Sequence, residues 1–170
     1  KEIEYMMSLV EKNIGLSFYA EETKSTADGE QIHKNEDIID FTNTALTDFL
    51  IKLSVDVEQS DETVIGSYFH VLNDLERIGD HAENFFGIVE EMYKKKLSFS
   101  DQAQEKIRKM YDKVTEMFVI SRAAFETEDK TQLPRLSELE NDVDGLKRKL
   151  TSEHFTRLAE GQCNVECSPY

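Results

Sequence analysis

Three Glu-x-x-x-Asp pairs are the residues best placed to do chemistry: Glu36/Asp40, Glu76/Asp80 and Glu140/Asp144. Spacing i, i+4 sets both carboxylates of a pair on one helix face, and like charges so placed repel by roughly 0.2–0.5 kcal/mol. A hard or borderline cation held between carboxylates of two adjacent helices would reverse that cost, so the pairs point to an open metal site. Spacing alone is a weak signal. With 35 acidic residues in 170, roughly seven acidic i, i+4 pairs arise by chance.

Position along the predicted helices carries more. Spacings of three and four among Ile3, Met6, Met7, Val10, Ile14, Leu16, Phe18 and Ala20 predict a first helix over Glu2 to Lys24, broken at Ser25–Gly29. A second runs from about Glu30 to Val57, with Ile38, Ala45, Leu46, Phe49 and Leu53 on one side. A third, capped by Ser60, runs from about Asp61 to Lys96, with Lys94–Lys96 suiting the negative end of its dipole. There Leu72, Leu75, Gly79, Ala82, Phe86 and Val89 repeat 3, 4, 3, 4, 3 and form the buried stripe, while Asn73, Glu76, Arg77, Asp80 and Asn84 fall opposite. Glu36, Asp40 and Asn43 likewise fall away from Ile38, Phe49 and Leu53, so the pairs are expected on the outer surface. Leu97–Ser100 reads as a linker, with Ser100 capping a fourth helix to about Thr127. Pro134 opens a fifth to about Glu160, Gly161 stops it, and Gln162 to Tyr170 runs out without a full element.

Shifted by 104 residues, the chain overlays on itself. Ile3 falls on Ile107, Met6 on Met110, Val10 on Val114, Ser17 on Ser121, Glu36 on Glu140 and Asp40 on Asp144. The fold class expected is therefore all-α, two tandem three-helix-bundle repeats over 1–97 and 98–170. The second lacks its last helix, since Tyr170 falls where it would begin.

Composition narrows the functions. Seven glycines and two prolines are too few for a sandwich or barrel. The longest stretch without a formal charge, Thr63 to Asn73, is half of what a bilayer span needs, and Lys1 opens no apolar leader. A net charge of −15 repels phosphate backbones, so no nucleic-acid partner is expected. Cys163 and Cys167 build no disulfide framework, which fits a reducing cytosol, and two thiols alone make a poor metal site. Nucleophile elbows and glycine-rich phosphate loops are missing. A ferritin-like di-iron enzyme needs two inward Glu-x-x-His motifs, and only Glu30–His33 matches, beside a helix break. His81, next to Asp80, is a candidate ligand or an ordinary half-buried histidine.

The run Asn73-Asp74-Leu75-Glu76-Arg77-Ile78-Gly79-Asp80-His81-Ala82-Glu83-Asn84 resembles the signature helix of the PhoU family. That resemblance implies two repeated three-helix bundles, a regulatory role in phosphate uptake, and iron or another metal on Glu/Asp-x-x-x-Asp motifs. Iron, zinc or another divalent metal is the cofactor expected on Glu36, Asp40, Glu76, Asp80, Glu140 and Asp144. The stretch Glu153-His154-Phe155-Thr156-Arg157-Leu158-Ala159-Glu160-Gly161-Gln162-Cys163 is similar to PhoU-like domains fused to bacterial Na⁺/phosphate cotransporters. This resemblance implies a non-catalytic regulatory or coupling domain at the cytoplasmic face of the cell membrane. Its partner would be the transmembrane domain of a phosphate transporter, and as this chain a homodimer is expected. The alternatives are a free-standing PhoU-type negative regulator acting on an ABC transporter and a sensor kinase and, in another class, a carboxylate-bridged metalloenzyme. The family pattern has a second signature helix; up to Tyr170 none follows Glu140/Asp144.

Overall fold

The computed structural model of the chain describes residues 1–55 and 59–160. Among them are five helices and no strand: α1 (Glu2–Thr23), α2 (Gly29–Ser54), α3 (Gln59–Lys94), α4 (Asp101–Thr127) and α5 (Leu133–Ala159). Two compact units result, Lys1–Val89 and the residues from Glu90 onward. In the first α1 pairs with α2, and in the second α4 pairs with α5. No helix among the described residues is long and apolar enough to cross a membrane.

The predicted helices fall close to the observed ones, with differences at the ends. The third starts at Gln59, so Ser60 lies inside α3 rather than capping it. Ser100 does cap α4, its hydroxyl accepting from the Ala103 N–H at 3.3 Å. Pro134 sits in the first turn of α5, where its missing N–H costs nothing. Gly161, Cys163, Cys167 and the rest of the tail lie outside the described residues, as does Val57.

The 104-residue offset recurs in backbone geometry. α1 ends on Lys24 at φ 53° and α4 on Glu128 at φ 58°, both left-handed. α2 opens from Asp28 at φ −91°, ψ 4°, and α5 from Gln132 at φ −89°, ψ −4°. The two hairpins thus turn through the same connection. Each uses a bulky residue where glycine is favoured, because Cβ crowds the carbonyl in the left-handed region. Lys24→Gly and Glu128→Gly are each expected to stabilise the protein by about 0.5–1 kcal/mol, seen as a raised thermal midpoint. An unchanged or lowered midpoint would contradict this.

The core of the first unit lies where α3 covers the α1–α2 hairpin. The α3 stripe is the one expected, since Leu72, Leu75, Gly79, Ala82, Phe86 and Val89 are all buried. Phe86 and Val89 pack with Ala20 and Ile32, flanked by Leu16 and Phe85. On α1, Met6, Val10 and Ala20 are buried together with Asn13 and Ser17, which complete the 4, 3, 4, 3 spacing that apolar residues alone leave broken.

On α2 the expected inward face is the wrong one. Ile38, Phe49 and Leu53 are exposed, Phe49 by 59%, and Phe41 by 74%. The buried side is Ile32, Asn35, Glu36, Ile39 and Leu50. The helix has two apolar stripes, and the one that packs is interrupted by polar side chains, so hydropathy favoured the other. In the second unit α4 and α5 are cross-linked by charge: Lys113 to Asp142 at 2.6 Å, Arg135 to Glu116 at 2.8 Å, and Lys106 to Glu153. On these two helices only Phe118 and Leu139 are buried.

Candidate functional site

α2 and α3 run antiparallel in a register fixed by close approaches. A Cβ on Gly29 would stand 2.6 Å from the Phe86 ring, and one on Gly79 would stand 2.8 Å from a Glu36 carboxylate oxygen. Between them His33 Nδ1 meets Glu83 Oε1 at 2.5 Å. With 29 opposite 86, 33 opposite 83 and 36 opposite 79, Asp40 comes opposite Glu76. The 3, 4 spacing of His33, Glu36 and Asp40 on α2 is thus matched by Glu76, Asp80 and Glu83 on α3. The seam holds five carboxylates and one imidazole.

Glu36 departs from the expectation of a surface ligand. It is only 5% exposed, and neither of its oxygens has a hydrogen-bond partner. Beside it lies an amide network. Asn13 Nδ2 donates to the Ile32 carbonyl at 3.1 Å, Asn35 Nδ2 donates to Asn13 Oδ1 at 2.7 Å, and Gln31 Nε2 donates to Asn35 Oδ1 at 2.8 Å. These amides donate to one another and to the backbone.

Burial pushes the Glu36 carboxyl up to about 7, and the carboxylates of Asp40, Glu83 and Asp80 add to the rise; the nearby Asn13 amide opposes it. Asp40 is raised by burial and then by Asp80, Glu83 and Asp37. Glu76 is raised by burial, Asp80 and Asp40, with Arg77 opposing. Glu36/Asp40 and Glu76/Asp80 thus repel one another across the α2–α3 seam. Asp40 and Asp80 are exposed, and Glu76 and Glu83 are half-buried.

This donor set suits a hard cation. Its carboxylates offer hard oxygen donors, two of them the buried oxygens of Glu36. The side chains as folded do not close around one point: among the described residues no group of three His, Cys, Asp or Glu is arranged to hold a metal ion. Glu140 and Asp144 are exposed on α5. Asp144 borders an open depression of about 490 Å³ with Lys147, Arg148 and Phe155. Glu30 takes a hydrogen bond from Lys34 at 2.6 Å, and His33 is paired with Glu83. Hydrophobic patterning missed His33, Glu83, Asn13 and Asn35. The signal for the first two was the continuation of the 3, 4 spacing beyond each Glu/Asp pair.

Gly79 is where α3 yields space to the Glu36 carboxylate. Gly79→Ala is expected to displace that carboxylate; the crowded atoms are the end of a flexible side chain and alanine gains helix propensity, so the net loss of stability is expected to be about 1 kcal/mol. Chemical denaturation checks it, and a stability equal to that of the parent protein would show that Glu36 can move aside freely.

A hairpin repeated at a fixed offset, its first copy closed by a long helix that carries an acidic seam, defines a tandem-repeat helical-bundle protein. A model of the PhoU domain matches residues 3–94 and again 107–167, and the chain belongs to the PhoU domain family. The two matches start 104 residues apart, the offset read from the sequence and from the hairpin backbones. The family is a regulatory, non-enzymatic one, with a role in phosphate homeostasis. No match was found to any curated protein or to any solved structure.

Proposed function

We propose that the chain is a non-catalytic regulatory or coupling domain of a Na⁺-dependent phosphate symporter. The observation that carries this reading is the pairing of a family match over both repeats with the signature run on α3, whose carboxylates face those of α2. Its partner is then the transmembrane domain of the transporter, and its place is the cytoplasmic face of the cell membrane. The run from Glu153 to Cys163 supports the transporter-linked form over the free-standing regulator. In either form the domain acts through helix contacts and not by turnover.

Iron, zinc or another divalent metal on Glu36, Asp40, Glu76 and Asp80 belongs to the same reading. When bound, the cation supplies positive charge to a seam that has none of its own besides what His33 and Arg77 can bring. The chain's residues supply the rest: Gly79 makes room for the Glu36 carboxylate, which lies beside the Asn13 amide. Glu140 and Asp144 are the corresponding residues of the second repeat.

Phosphate uptake in cells with and without the domain tests the function. Removing the domain is expected to change the rate or the phosphate dependence of Na⁺-driven uptake while uptake remains Na⁺-dependent. A change confined to ATP-driven uptake would favour the free-standing regulator, and no change in either would count against both.

A further inference from the structure

We infer that the open end of the groove between α2 and α3 docks a basic amphipathic helix from the cytoplasmic side of the transmembrane partner, laid in line with α1. The inference rests on the transporter reading above and gives that partner a surface to bind.

α1 is too short for the groove that it fills. Asn13 stands opposite Ile32 and Asn35, its hydrogen-bond partners on α2. Lys1, twelve residues before Asn13, therefore comes level with about positions 44 to 47. α2 runs on to Ser54, past the start of α1 by roughly 10 Å at 1.5 Å per residue, with the antiparallel α3 alongside.

Both walls stay apolar beyond that point. The α2 row that meets α1 through Asn35 continues by steps of three and four through Ile39, Thr42 and Leu46 to Phe49 and Leu53. On α3 the buried Ala82 and Leu75 are followed, a heptad further back, by Tyr68 and then by Val64. The α2–α3 register brings Leu50 opposite Ile65, and both are buried, so the groove keeps a floor. Its walls are bare, since Phe49, Leu53, Val64 and Tyr68 are all exposed. One helix laid beyond the start of α1 would cover all four, as α1 covers the rows nearer the turn.

Charge selects the occupant. Residues 1–89 carry 19 carboxylates and 6 lysines or arginines, a net −13, whereas the rest of the chain carries 16 and 14. Around the groove itself, residues 46–69 hold five carboxylates and one lysine, Lys52. A second copy would set like charge against like, and an anionic lipid surface is repelled in the same way. A helix with lysines and arginines beside an apolar stripe is attracted, and its stripe matches the walls. Segments that adjoin membrane spans on the cytoplasmic side are rich in these two residues.

The test is fluorescence anisotropy of the whole chain with a labelled Leu/Lys helix of about 18 residues, its leucines on one face. Phe49→Ser/Val64→Ser is the variant; both side chains are exposed, every charge stays in place, and circular dichroism confirms that the helices are kept. The Leu/Lys helix is expected to bind the parent at micromolar concentration. A scrambled peptide of the same composition and a Leu/Glu helix are expected to bind at least tenfold more weakly, and the variant to lose about tenfold in affinity for the Leu/Lys helix. Equal binding of the scrambled peptide, or an unchanged variant, would mean that acidity alone attracts the peptide and overturns the proposal, as does a parent that does not bind. Phosphatidylcholine/phosphatidylserine vesicles that bind the parent and not the variant would assign the groove to a lipid surface. A dimer lost in the variant would assign it to a second copy, and either result overturns the proposal. If the peptide binds as expected while removal of the domain leaves phosphate uptake unchanged, the groove stands and only its assignment to a transporter fails.

Discussion

Raising the pH from 5 to 8 in metal-free buffer is expected to destabilise the first unit by on the order of 2–3 kcal/mol, most of it through Glu36. Its carboxyl stands at about 7 in the folded protein, against an ordinary value of 4.5. Below the ordinary value the group is protonated whether the chain is folded or not. Between that value and about 7 only the folded state holds the proton, so the contribution to stability is lost as pH rises through this window. Above it, the folded protein carries a buried charge with no hydrogen bond. The raised carboxyls of Asp40 and Glu76 act in the same direction. In the second unit Glu116, Asp142 and Glu153 act oppositely, because hydrogen bonds from Arg135, Lys113 and Lys106 hold them below the usual range; their contribution to that unit is lost on acidification. Glu36→Gln replaces the titrating group with a neutral one of the same shape. Its denaturation midpoint is expected to be flat between pH 5 and 8 where that of the parent falls. A parent midpoint that rises over this range would show that Glu36 is charged in the folded state and finds a partner there.

The same residue shows where the sequence stopped being readable. Helix positions, the 104-residue repeat and the buried stripe of α3 followed from apolar spacing, since α3 packs through an unbroken 3, 4 pattern. α2 packs through Ile32, Asn35, Glu36 and Ile39, and hydropathy treats two of those four as solvent-facing. What turns Glu36 inward is not a property of its own helix. It is the gap left by Gly79 on α3, with the Asn13 amide of α1 beside it, and neither lies near it in the sequence. Helix positions placed the α2 carboxylates on the outer face, opposite Ile38, Phe49 and Leu53, and it is the face of those three that proved to be the exposed one. That one of the carboxylates is buried, and that Glu83 and His33 extend the set, depends on a register that spacing within one helix does not specify. Glycine at position 79 was read as part of an apolar stripe. Its role is to admit a carboxylate.

The chain is expected to run as a dimer of twice 19.7 kDa by light scattering at micromolar concentration, joined through α4 and α5. The first unit has α3 to cover its hairpin, and its helices bury Met6, Val10, Ile32, Ile39, Leu72 and Phe86 almost completely. Ile107, Met110 and Met117 on α4 and Leu136, Val143, Leu146 and Leu150 on α5 all stay half-buried, while Val114 is exposed. Full burial of one such side chain contributes roughly 1.5–3 kcal/mol, so a half-covered stripe on each helix leaves several kcal/mol to be gained. Salt links along the edges of the pair, Lys113–Asp142 and Arg135–Glu116, hold the hairpin closed without covering its open face. Exposed ion pairs of this kind contribute about 0–1 kcal/mol each and do not replace a core. A second copy offering the same two stripes is the self-complementary solution, because a two-fold interface buries one patch against itself. Val143→Glu and Val114→Glu place charge on that face and are expected to shift the chain to monomer with a lowered melting temperature. A parent protein that is monomeric at micromolar concentration, with Ile107, Val114, Val143 and Leu146 protected from solvent within one chain, would overturn the dimer.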